Sequence, residues 1–73
     1  MSQPIVVHQA SSKPGRRVTC LRYGRDNFLG TAYSDHDLVV ILEGAGWIDP
    51  EQIIDDPTWV EWRGGRAHLW HVI

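Results

Sequence analysis

Hydrophobic and polar positions follow three patterns along this chain, and each pattern predicts an element. Ile5 to His8 is a short β-branched run ahead of Gln9 to Gly15, whose Ser-Ser-Lys-Pro-Gly has turn composition, so a first strand is expected there. Val18 to Tyr23 and Phe28 to Tyr33 flank Gly24-Arg25-Asp26-Asn27, residues suited to the positive φ values of a tight connection; these predict a first hairpin. Trp59-Val60-Glu61-Trp62-Arg63 alternates at period two, Gly64-Gly65 suits a type I′ turn, and Arg66 to Val72 alternates back, which predicts a second hairpin. A two-residue turn would set Arg63 opposite Arg66, Trp62 opposite Ala67, Glu61 opposite His68, Val60 opposite Leu69 and Trp59 opposite Trp70. One face would then carry Val60, Trp62, Ala67 and Leu69 toward the core. The other would carry Trp59, Trp70, Glu61, His68, Arg63 and Arg66.

The middle of the chain reads two ways. Leu38-Val39-Val40-Ile41-Leu42 is continuous and β-branched, as a buried strand would be. Against that, Ser34 and Asp37 stand at capping-box spacing, with Asp in place of the usual Glu or Gln. Leu38, Ile41, Leu42 and Ala45 share a helical face, and Gly46 followed by apolar Trp47 has the form of a Schellman stop. The balance favours a helix from about Asp35 to Ala45. Asp49-Pro50-Glu51-Gln52 predicts a second, short helix with Asp49 as N-cap, Pro50 in its first turn, Ile53 and Ile54 turned inward, and Pro57 as its stop. The expected fold is a single α+β domain over residues 1–73. It combines a small antiparallel sheet of two hairpins and an N-terminal strand with two short helices between the hairpins. The alternative is an all-β, SH3-like small barrel in which Leu38 to Leu42 is a strand.

Apolar residues make up 42% of the 73 positions, an ordinary share for a globular domain, so disorder is not expected. A domain this small supports roughly 3 to 5 kcal/mol of stability, which makes self-association plausible. The single cysteine, Cys20, cannot close a disulfide within the chain. The sequence opens without the charged start and long apolar stretch of a signal peptide, and its longest apolar run is too short to cross a bilayer. A cytoplasmic protein with no membrane contact is therefore expected.

Net charge is only −2, but the charges are segregated. Every charged residue from Met1 to Arg25 is basic (Lys13, Arg16, Arg17, Arg22, Arg25), and every one from Asp26 to Trp62 is acidic, nine in all. Such segregation steers partners rather than folds. The Trp/Arg face of the second hairpin, with Trp59, Trp70, Arg63, Arg66, Glu61 and His68, is the expected partner-binding surface, since Trp and Arg anchor interfaces. Arg63 facing Arg66 invites an anion between them. The basic cluster Lys13, Arg16, Arg17, Arg22 and Arg25 is a candidate contact for phosphates or for an acidic partner. It lacks a basic recognition helix or any RNP, KH or zinc-finger spacing. The acidic middle is a candidate surface for a basic partner.

No metal site is expected, because His68 and His71, three apart on a strand, point to opposite faces, and His36 between Asp35 and Asp37 reads as a first-turn residue. Cys20 at mid-strand reads as a small buried hydrophobe, and Gly64-Gly65 precedes a strand rather than a helix, so no phosphate loop is present. Neither catalysis, a cofactor nor a small-molecule substrate is expected. The sequence thus points to a non-catalytic protein–protein interaction module, an accessory subunit or a small regulatory or inhibitory protein, with nucleic-acid binding through the first hairpin as the alternative.

Overall fold

The computed structural model describes residues 4–9, 14–64 and 66–70. The elements run β1 (Ile5–Val7), β2 (Arg16–Arg22), β3 (Arg25–Ala32), α1 (Asp35–Gly44), a 3-10 turn (Pro50–Gln52) and β4 (Val60–Trp62). The strands form one mixed sheet in the order β3-β2-β1-β4. The architecture is α+β, with one helix and one 3-10 turn. Among the described residues, no helix is long and apolar enough to cross a membrane.

The first hairpin forms, with its turn shifted. Tyr23 and Gly24 make the connection at φ 54° and 75°, and Arg22 pairs with Arg25, so Arg25, Asp26 and Asn27 belong to β3 rather than to the turn. Two consecutive positive φ values are what a type I′ turn needs, and one glycine suffices when its neighbour accepts the strain. A register shift between Val18 and Thr19 bends the pair further along.

Residues 38–42 are helical, which rules out the barrel. Ser34 Oγ accepts from the Asp37 N–H at 3.2 Å, and the Asp37 carboxylate accepts from the Tyr33 N–H at 3.0 Å, one residue ahead of a standard capping box. At the other end the Trp47 N–H reaches the Leu42 carbonyl and the Gly46 N–H reaches that of Glu43, both at 3.0 Å, with Gly46 at φ 98°. This is the Schellman pattern, and its glycine takes a φ that an L side chain resists. Leu38 and Leu42 are buried against the sheet, with Val39, Ile41 and Trp47 packed around them.

The expected second helix contracts to one 3-10 turn. Asp49 is not a side-chain cap: it sits at φ 50°, ψ 55° in the left-handed region and makes no capping hydrogen bond. Pro50 and Ile54 are buried, whereas Ile53 is only partly so.

The second hairpin does not form in the described residues; Gly65, His71 and Val72 lie outside them. Instead β4 pairs in parallel with β1, Ile5 with Val60 and Val7 with Trp62. The flanking bonds Ile5 N–H to Trp59 O (3.1 Å) and Arg63 N–H to Val7 O (2.9 Å) extend that ladder. Arg16 holds the segment beyond β4 in place. Its guanidinium, 1% exposed, donates to the carbonyls of Arg63 (2.7 Å), Arg66 (2.9 Å) and Leu69 (2.9 Å), and its Nε donates to that of His8 (2.7 Å). One side chain thus ties residues 63, 66 and 69 to the start of β2. Segment 66–70 winds around it in turns, with His68 at φ 68°. The expected faces fall with the register. Trp70 is buried at 7% exposure, while Ala67 and Leu69 are exposed and Trp62 is half-buried.

Candidate functional site

α1 hands the chain to Trp47, whose ring meets Trp59 edge-on with centroids 5.9 Å apart and planes at 73°. The neighbouring Ile48 is 87% exposed and Trp59 41%. An aliphatic side chain left this bare costs solvation on every exposed carbon, and here it directly follows Trp47 in the chain. The same segment carries Glu43, Asp49 and Glu51, all exposed and without a salt bridge among the described residues. No lysine or arginine occurs between Asp26 and Trp62, and the arginine that comes to this end of α1 is Arg22, bonded to the Ala45 carbonyl. The result is an apolar, aromatic patch in anionic surroundings. Below it the Trp47 indole N–H is buried and meets no acceptor among the described residues.

The residues expected to form one partner-binding face are dispersed. Trp59 belongs to this patch. Trp70 is interior, its Nε1–H donating to Asp35 Oδ1 at 2.8 Å and its ring standing edge-on to Trp62 at 5.4 Å. The expected Trp59–Trp70 pair is therefore replaced by Trp47–Trp59 and Trp62–Trp70. His68 is held between two carboxylates, Nδ1 at 2.8 Å from Asp35 Oδ1 and Nε2 against Asp55 Oδ1. Those hydrogen bonds, Asp55 first and then Asp35, raise its pKa above the usual histidine value, against a smaller opposing effect of partial burial. Arg63 pairs with Glu61 two residues away, and Arg66 is exposed. Without the hairpin, Arg63 and Arg66 are not cross-strand neighbours, so no anion is required between them.

The basic set separates too. Arg16 is the interior hub described above, so it is not a phosphate contact; burial lowers its pKa, and Trp62 stacks 5.4 Å from its guanidinium carbon. Arg17 lies over the Phe28 ring at 5.4 Å. Arg22 donates to the Ala45 carbonyl at 2.9 Å, and Arg25 is exposed. Lys13 lies outside the described residues. Near Arg17, His8 Nε2 and Thr19 Oγ1 are 2.8 Å apart. Burial first, then Arg63 and Arg17, lower the His8 pKa, which places both arginines within electrostatic reach of that imidazole.

Among the described residues, no group of three or more His, Cys, Asp or Glu side chains is placed to hold a metal ion. Sequence reading missed Ile48 and Asp55, and it considered Asp35 only with His36 and Asp37, not as the partner of His68 and Trp70. Trp47 was legible only as a helix stop. The exposure of Ile48 had no signal, because a lone isoleucine beside a tryptophan reads equally well as core. No protein-family model, no curated protein and no solved structure matches this chain.

Proposed function

We infer that this protein is a non-catalytic protein–protein interaction module, an accessory or small regulatory subunit that docks a partner on the Trp47–Ile48–Trp59 patch. The observation that carries the reading is the 87% exposure of Ile48 beside the Trp47–Trp59 pair. Aromatic anchors with an aliphatic neighbour are the composition of an interface centre. The carboxylates of Glu43, Asp49 and Glu51 suit a partner with an apolar knob ringed by Lys or Arg, whose approach they would accelerate at low salt. Nucleic-acid binding through the first hairpin has less to draw on, since Arg16 is interior and Arg22 holds a helix end.

The test is a photo-crosslinking amino acid placed at position 48 in the native cell, with position 28 on the sheet as comparison. A discrete adduct at 48, lost on Trp59→Ser, is expected. An adduct at 28 with none at 48, or one at 48 indifferent to Trp59→Ser, would refute the patch.

A further inference from the structure

Beyond that docking surface, the helix-side face of the β2–β3 hairpin overhangs the end of α1 and encloses a cleft of about 410 Å³. Cys20, Arg22, Asn27 and Leu29 line it from the hairpin, and Gly44 and Ala45 from the helix. The register explains the grouping. Cys20 pairs with Asn27 and Arg22 with Arg25, and directly paired residues share a face. This face therefore sets Arg25 across from Arg22, although of the two only Arg22 lines the cleft. Like charges so placed repel, and among the described residues neither arginine has a carboxylate partner.

Arg22 is also held in place. Its Nη2 donates to the Ala45 carbonyl, closing a helix whose last turn has no basic residue of its own. One arm of the fork is anchored, and its remaining donors meet no acceptor among the described residues. Below, Leu29 is half-buried and Cys20 is buried, giving an apolar floor. A Cβ added to Gly44 would meet nothing within 4 Å, so the helix side of the cleft is open space.

We propose that this cleft binds a small organic monocarboxylate, its carboxylate on the Arg22 fork and its apolar body over Leu29, Cys20 and Gly44. A planar carboxylate matches a guanidinium in two-point geometry. The volume suits a small ligand. The partial negative charge at the end of α1 works against any anion there, and against a polyanion such as phosphate more than against a single carboxylate, so the attraction comes from Arg22 alone. This departs from the sequence-level expectation of no small-molecule partner.

The experiment is an amide NMR titration of the full chain with benzoate, with benzamide as its neutral analogue and with inorganic phosphate. Benzoate should give saturable shifts confined to Cys20, Arg22, Asn27, Leu29, Gly44 and Ala45, at least about tenfold tighter than either comparison probe. Arg22→Gln should weaken benzoate by a similar factor. Because that change also frees the Ala45 carbonyl, Gly44→Leu serves as a second variant that fills the cleft from a position with room for it. Equal binding of benzamide, preference for phosphate, shifts elsewhere, or unchanged affinity in Gly44→Leu would each overturn the assignment.

Discussion

Arg16 shows how one residue can redirect a segment. Its sign was legible in the sequence and its burial was not, because nothing local distinguishes a solvated arginine from one whose charge is met by four carbonyl dipoles. Replacement by Met would leave the Arg63, Arg66, Leu69 and His8 carbonyls without their donor. Because hydrogen bonds from a charged group contribute about 1.5–3 kcal/mol each, a loss of roughly 3 kcal/mol or more is expected. Against a total of roughly 3 to 5 kcal/mol, that unfolds much of the population, which chemical denaturation would register. Arg16→Lys should fare little better, since an ammonium cannot span the same fork. His68 makes a pH-dependent contribution. Its pKa is raised above 6.5 in the folded state, so the stabilisation is fully present below that value and is lost as pH rises through the folded pKa. Between about pH 6 and pH 9 the melting temperature should fall further for the native chain than for His68→Asn, a residue that tolerates the local φ of 68°. His8 acts in the opposite sense. Its lowered pKa costs stability as pH drops below 6.5, and His8→Gln should soften that acid limb of the curve.

Among the elements, α1 was readable because its signals are local. Ser34, Asp37, Gly46 and Trp47 specify both ends within a turn of where they act, and the structure uses all four. Ser34→Ala should cost about 1 kcal/mol and Gly46→Ala a similar amount, measurable as parallel shifts in denaturation midpoint. Gly44 lies within the helix with open space around it, so Gly44→Ala should stabilise by up to about 1 kcal/mol. The first hairpin was legible in existence and misplaced in its turn, since Gly24 was identified but Tyr23 gave no hint of accepting positive φ. The segment from Trp59 onward was misread for a different reason. Alternation and Gly-Gly permit a hairpin, but strand pairing is settled by competition, and β1 offered Val60–Trp62 a better neighbour than the residues beyond Gly64 did. Dispersal of the expected Trp/Arg face followed from that one pairing.

Across the whole molecule, the charge blocks seen in the sequence are redistributed: Arg22 and Arg25 share the helix-side face of the β2–β3 hairpin, Arg17 lies over Phe28 on its other face, and Arg22 reaches the end of α1, where Glu43 stands, with Asp49 and Glu51 shortly after. Segregation was readable in the sequence, but its geography depended on the sheet order. If a second copy sets its exposed arginines against Glu43, Asp49 and Glu51, sedimentation should show association that weakens as salt rises and disappears in Ile48→Asp. Sheet order has a consequence for synthesis as well. The interior strand β1 is made well before one of its two neighbours, β4, which lies more than fifty positions later. Until Trp62 has been made, Ile5–Val7 has an open edge, and Arg16 gains its last acceptor only with Leu69. A chain that stops before β4 therefore carries a bare edge on β1 and an Arg16 without three of its four carbonyl partners, a substrate for proteolysis rather than a smaller version of the protein.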